Sequence, residues 1–232
     1  MILYQPESGY CYNSDSIFLY DFINSFQPKG RVLDVGAGCG VLGLLVARDN
    51  PKVTLEAVEK QEVFMQYATQ NAKVNNLEYK LHKGDFLELD VEQKYDYIIS
   101  NPPFYPSGVQ KSNNEMLYNA RYNVNLPLDR FFKKVSQLLK PKSHFIFCYD
   151  PTLFAQVCVE LDNVKMRVVD VQFIHPKLDR AASLVMIHAR NGSKSPMKVL
   201  PPFVSFEKDG NVTKKVEKIY EKASTQSIKC QI

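Results

Sequence analysis

"RVLDVGAGCGVLG", residues 31–43, begins as a short apolar strand, breaks into glycines at 36, 38 and 40, and resumes as an apolar helix. Glycine accepts left-handed backbone and lets a ligand lie against the main chain with no Cβ in the way. The helix that follows presents free N–H groups and the positive end of its dipole. Gly38-Cys39-Gly40-Val41-Leu42-Gly43 fits G-x-G-x-x-G, a dinucleotide fingerprint that is weak when it stands alone. Asp34, just before the glycines, argues the other way. A carboxylate at the mouth of the turn repels a pyrophosphate and favours a cationic group.

Outward from this turn the chain alternates strands and helices. "VTLEAVEK" (53–60) reads as a strand and "QEVFMQYATQNAKVNN" (61–76) as a helix. "YKLHKGD" (79–85) and "YDYIISN" (95–101) read as the next strands. "LDRFFKKVSQLLK" (128–140) reads as a helix stopped by Pro141, followed by the strand "HFIFCYD" (144–150) and the helix "TLFAQVCVELDN" (152–163). The pattern then changes. "VKMRVVDVQFIH" (164–175) and "AASLVMIHARN" (181–191) are two strands whose link is too short for a crossover helix, so they pair antiparallel. The reading is an α/β fold with a mostly parallel sheet, helices on both faces and a late antiparallel hairpin. Residues 1–30 form an N-terminal extension with a helix over 14–26, residues 31–192 the ligand-binding domain, and residues 193–232 a basic C-terminal extension with a last helix.

Composition excludes several classes. The 232 residues carry 29 Lys and Arg against 25 Asp and Glu, a net charge of +4 that does not by itself prove nucleic-acid binding. From Arg190 onward nine basic residues face four acidic ones, a balance compatible with phosphate contact or with a solvated helix. No apolar run is long enough for a membrane span, and the first residues lack a signal-peptide pattern. Five scattered cysteines form no C-x-x-C pair, which argues against zinc or disulfides and makes reducing cytoplasm the expected compartment.

Two further strand ends carry acids. Glu59 ends the second strand, where a carboxylate can accept both ribose hydroxyls, with Lys60 beside it. Asp85 and Phe86 follow the third, where an Asp can bond an adenine amino group and an aromatic can cover the ring. With Asp34 favouring a cation, the set fits S-adenosylmethionine better than nicotinamide. The fourth strand ends in Asn101-Pro102-Pro103-Phe104. Asn101 offers a side-chain carbonyl and Pro102 a backbone carbonyl to the two N–H groups of a planar amine. The prolines fix the backbone, and Phe104 gives a face for stacking, worth about 1–3 kcal/mol for a base. Alignment and electrostatics then supply most of the catalysis.

Asp34 to Gly40, Glu59, Asp85 and the Asn-Pro-Pro-Phe loop, in that order, resemble the Rossmann-like class I S-adenosylmethionine-dependent amino methyltransferases. The resemblance implies a seven-stranded sheet with the last strand antiparallel. It also implies cofactor contacts from Gly36, Ala37, Gly38, Gly40 and Asn101 besides the acids. The stretches 12–23, 101–109, 120–132 and 174–192 resemble the bacterial tRNA1(Val) (adenine(37)-N6)-methyltransferase family. That resemblance implies N6-methylation of an adenine in tRNA. It places Asp15 and Ser16 near the methionine end of the cofactor, although Asp15 also fits as a plain helix cap. It makes Tyr105, Arg121 and Tyr122 substrate contacts beside Phe104, and the tail lysines, Lys214 and Lys215 among them, phosphate contacts. Phe104 stands where that family often carries Tyr, and Phe is common in guanine-N2 enzymes. Methylation of guanine N2 in ribosomal RNA is therefore the alternative, with a glutamine amide in a protein third. A metal-free enzyme, monomeric or weakly dimeric, is expected.

Overall fold

The computed structural model describes residues 1–7, 11–102 and 126–232. In chain order its strands and helices are β1 (Ile2–Pro6), α1 (Ser14–Asn24), β2 (Gly30–Val35), α2 (Val41–Asp49), β3 (Val53–Glu59) and α3 (Glu62–Val74). Then come β4 (Lys80–Lys83), β5 (Tyr95–Ser100), α4 (Leu128–Leu138), β6 (Leu139–Tyr149), α5 (Phe154–Asn163), β7 (Met166–His175) and β8 (Leu184–Asn191). Short strands β9 (Lys198–Val199) and β10 (Phe203–Val204), helix α6 (Lys214–Ala223) and β11 (Gln226–Cys230) complete it.

The sheet order is β10-β7-β8-β6-β5-β2-β3-β4, with β9 also paired to β7. Among the described strands of this sheet only β8 runs against its neighbours, antiparallel to both β6 and β7. This is the Rossmann-like methyltransferase architecture expected from the alternation and the late hairpin. The seven strands read from the sequence are present, and the two-residue β9 and β10 widen the sheet to nine. Central strands are buried on both faces: Val32, Leu33, Ile98, Ile99, Phe145, Ile146 and Phe147 are all fully covered. Burial on both faces is why their sequences read as continuous apolar runs rather than alternation. Rings of Phe131 and Phe132 from α4 pack edge-on against Phe145 of β6.

Three expectations change. Pro141 does not lie between a helix and a strand but inside β6, which begins at Leu139. The pairing with β5 jumps from Tyr95↔Leu139 to Tyr97↔His144, so Pro141 sits in an irregular stretch where no ladder donor is needed. Helix α1 is capped by Asn13, whose side chain accepts from the Asp15 amide, so Asp15 belongs to the first turn and is not the cap. The termini also hold strands that no periodicity announced: β1 and β11 pair in parallel as a separate two-stranded sheet. All five cysteines are free thiols. No helix among the described residues is long and apolar enough to cross a membrane.

Candidate active site

Register brings the glycine turn and the Asn-Pro end together. Val35 pairs with Ser100, so Gly36 and Asn101 leave adjacent strands side by side at the carboxyl edge of the sheet. Open α/β sheets bind ligands at this edge. A cleft lies there, lined by Ser16, Asp34, Gly36, Ala37, Gly38 and Asn101, together with Tyr12, Cys39, Val41 and Leu42. Gly36 and Gly38 have φ of +69° and +55°, and a Cβ built on either would meet open space. The glycines are thus required by backbone conformation, and their faces are free for a ligand.

Asp34 is 1 % exposed. Its Oδ2 accepts from the Gly43 amide at 2.9 Å, in the first turn of α2. A Cβ on Gly43 would stand 2.8 Å from that oxygen, so the last glycine of the fingerprint makes room for Asp34. Burial pushes the Asp34 carboxyl up to about 7; the Gly43 bond opposes this and the nearby Glu59 adds to it. A positive charge brought beside a carboxyl of this kind would favour its ionised form.

Glu59 is turned inward. Its Oε2 accepts from the Gly38 amide at 2.8 Å, and its Oε1 from the amides of Lys60 and Gln61 at 2.9 and 2.8 Å. It therefore pins the glycine turn to the start of α3, and a ribose would share an already occupied carboxylate. Asp85 follows β4 and accepts from the Leu87 amide at 2.9 Å and from Lys60 Nζ at 3.1 Å. The Phe86 ring does not cover this rim: it is 5 % exposed and packs edge-on against Phe131, 5.5 Å between centroids. The expected adenine cover is instead a core residue.

Asn101 is held from two sides. Its Nδ2 donates to Ser16 Oγ at 3.1 Å, and its Oδ1 accepts from the Cys148 thiol at 3.0 Å. Burial, with the Asp15 charge adding, raises the Cys148 thiol well above the ordinary range, so it stays protonated and donates. One lone pair on Oδ1 and one hydrogen on Nδ2 remain for a substrate. Asp15 lies beside this group, its carboxyl raised by burial against hydrogen bonds from Asn13 and Ser14. Cys148 was not singled out in the sequence. No motif marks it; the pairing Ser100↔Phe147 sets it next to Asn101.

Pro102 is buried beside Asn101. Pro103, Phe104, Tyr105, Arg121 and Tyr122 lie outside the described residues. Lys214 and Lys215 open α6 after its cap Thr213. The Thr213 amide donates to the Ser205 carbonyl, and the Ser205 amide to His175 at the end of β7. Both lysines thus stand toward the cleft's edge of the sheet, with Lys215 Nζ 4.5 Å over the Phe203 ring. Among the described residues no group of His, Cys, Asp and Glu is arranged to hold a metal ion.

The family described as "Methyltransferase small domain" matches residues 14–146. A protein of Aliivibrio salmonicida named tRNA1(Val) (adenine(37)-N6)-methyltransferase is 31% identical over 137 residues, 58% of this chain and 58% of that protein. A ribosomal RNA small subunit methyltransferase C of Aliivibrio fischeri is 34% identical over 99 residues, 41% of this chain and 29% of that protein. The chain spans little more than half the length of the tRNA-named relative and less than a third of the ribosomal one. Among solved structures, a predicted O-methyltransferase from Agrobacterium tumefaciens superposes with a TM-score of 0.70 at 15% identity, covering 93% of this chain and 100% of the other. That likeness concerns the fold.

Proposed function

This chain belongs to the Methyltransferase small domain family, and from that premise we propose that it transfers a methyl group to the exocyclic N6 amine of an adenine in tRNA. The observation that carries the reading is the juxtaposition, across adjacent strands, of a buried Asp34 behind an open glycine turn and an Asn101 amide held with one acceptor site free. The pocket fits S-adenosylmethionine: a carboxyl for a cation, free glycine faces for its backbone-like portion, and Glu59 and Asp85 further along the rim. When bound, that cofactor supplies an electrophilic methyl carbon on sulfur.

The chain's residues do the rest. Asp34 stabilises the positive end, and Glu59 keeps the glycine turn in one conformation. Asn101 Oδ1 and the Pro102 carbonyl accept the two N–H groups of the amine, which draws its lone pair out of conjugation. Phe104 stacks on the base, and Tyr105, Arg121 and Tyr122 hold the flanking nucleotides. Lys214 and Lys215 neutralise phosphates. An anticodon-loop base is cheap to splay out because it is unpaired. The names of the relatives support RNA as the acceptor class, and the ribosomal one keeps guanine N2 as the second reading.

The test is incubation with tritiated S-adenosylmethionine and unmodified total RNA, followed by nucleoside analysis. N6-methyladenosine in tRNA is expected, N2-methylguanosine would install the second reading, and no labelled nucleoside would overturn both. Asn101→Ala should lower kcat by at least about 100-fold while leaving cofactor affinity nearly intact. Cys148→Val, which keeps volume and removes the donor, should lower kcat about 10-fold with little change in KM. In the Asn101→Ala background the same change should do nothing further; additive effects would remove Cys148 from the positioning of that amide.

A further inference from the structure

The amino edge of the sheet lies opposite the cleft. Near β2 and β5 it carries two ion pairs, Arg31 with Glu56 at 2.5 Å and Lys140 with Asp96 at 2.8 Å, beside the exposed Lys29 and Lys94. Further along, its cations gather around a hollow. Lys142, Arg190 and Lys194, with Gly192, Ser193 and Ser195, line a concavity of about 350 Å³ whose wall contains no carboxylate. Arg190 stands directly opposite Arg167 across β8 and β7. Like charges in that position destabilise a sheet. Arg167 has only a loose, exposed contact with Asp162 at 3.8 Å. The Arg190 guanidinium spends its Nε and Nη2 on the Lys142 carbonyl, at 3.2 and 2.8 Å. Among the described residues Lys142, Lys165, Arg190 and Lys194 have no ion-pair partner.

Left-handed turns meet at the same place. Lys142 and Lys165 adopt φ of 61° and 60°, and Gly192, whose amide donates to the Lys165 carbonyl, has φ 65°. Lys165 takes this conformation where α5 ends, its amide donating to the Asp162 carbonyl, and Lys142 takes it in the irregular start of β6, so two turns of the chain flank the concavity. The neighbouring His144 adds no charge near neutral pH, because burial, His188 and Arg190 together push it down to about 4.

We propose that this wall binds the phosphate backbone of the RNA substrate, at a point remote from the base being modified. The inference rests on RNA as the acceptor. Charge complementarity selects a polyanion: Lys142, Arg190 and Lys194 in one concavity with no acid in its wall, and Lys165 and Arg167 beside it. The distance selects a folded RNA rather than the nucleotides next to the target. From Lys142 to Tyr149 along β6 is about 23 Å at ~3.3 Å per residue.

The experiment compares binding of an unmodified tRNA1(Val) transcript, its isolated anticodon stem-loop, and a DNA duplex of equal charge by wild-type protein and by Lys142→Glu/Lys194→Glu. Both positions are exposed and outside the cleft. The expected result is an affinity for the full transcript lowered about 10-fold or more and a log–log salt slope shallower by about 1–2, with the stem-loop unaffected. Unchanged affinity and slope for the transcript would overturn the proposal, as would an equal loss on the stem-loop or on the DNA duplex. If the double variant does not fold, Lys194→Glu in the exposed 191–195 loop is measured instead, with a slope change of about 1 expected. Absence of methyl transfer by the wild type would sink the proposed activity, while the binding comparison would still decide the surface.

Discussion

Asp34 is the residue whose behaviour most sharply separates this site from an ordinary glycine turn. Burial holds its carboxyl near 7 when nothing positive stands beside it. The folded value is raised from 3.8, so its contribution to stability is full below about pH 4 and is lost as pH rises through 7. A bound cation of S-adenosylmethionine, its sulfonium or its ammonium, would reverse the preference, because it stabilises the ionised form. Affinity for S-adenosylmethionine should therefore weaken about 5- to 10-fold between pH 8 and pH 6, with proton release visible by calorimetry in buffers of different ionisation heat. S-adenosylhomocysteine keeps the ammonium but not the charge at sulfur, so a flatter profile with it would make the sulfonium Asp34's partner and an equal one the ammonium; Asp34→Asn should flatten both. An S-adenosylmethionine affinity constant across that range would show that Asp34 faces no cation. The acid before the glycines was readable from the sequence because its chemistry conflicts with a pyrophosphate. The Cys148 thiol and the Ser16 hydroxyl were not readable as partners of Asn101, since three separate elements bring them together.

At the level of elements, one buried acid ties the amino half of the sheet together. Glu56 of β3 is 4 % exposed and is met by Arg31 from β2, His82 from β4 and Tyr95 from β5. Burial opposes its charge, but the bonds from His82, Arg31 and Tyr95 prevail and bring the carboxyl down to about 2. The sign is the reverse of Asp34: this contribution is present above 4.5, the ordinary value, and is lost as pH falls through about 2. Glu56→Gln should cost about 3–5 kcal/mol at pH 7, since it leaves Arg31 partly buried without its counter-charge. Urea unfolding at pH 7 and pH 3 should show the gap between variant and wild type narrowing in acid. A gap independent of pH would mean that packing, not charge, holds this corner. Strand periodicity gave β3 correctly, yet it could not say that Glu56 points inward, because only the neighbouring strands supply the cations that make burial tolerable. For the same reason Pro141 looked like a terminator: its place inside β6 depends on the register with β5, which local sequence does not contain.

Across the whole molecule, the two chain ends reach the cleft through a relay of hydrogen bonds. β11 pairs with β1, and Gln226 donates its amide to the Met1 carbonyl. β1 is fastened to α3 through Asn71 and Asn75, which accept from the Tyr4 and Ile2 amides at 2.7 and 3.0 Å. Asn71 also donates to the Cys39 carbonyl at 2.9 Å, inside the glycine turn. Tyr12, in the cleft wall, donates to Thr225 Oγ1 at 3.1 Å. The last strand thus supports one wall of the cofactor pocket although it lies at the far end of the sequence, where neither period nor motif could announce it. A chain shortened to end at Ala223 should bind S-adenosylmethionine at least about 10-fold more weakly. Thr225→Val, which removes one bond worth about 0.5–1.5 kcal/mol, should lose about 2- to 10-fold with its melting temperature nearly unchanged. If the shortened chain folds and binds with wild-type affinity, the terminal sheet is only a brace for α3. If it fails to fold, the Thr225 variant alone decides, because its single missing bond touches Tyr12 and leaves the β1–β11 pairing in place.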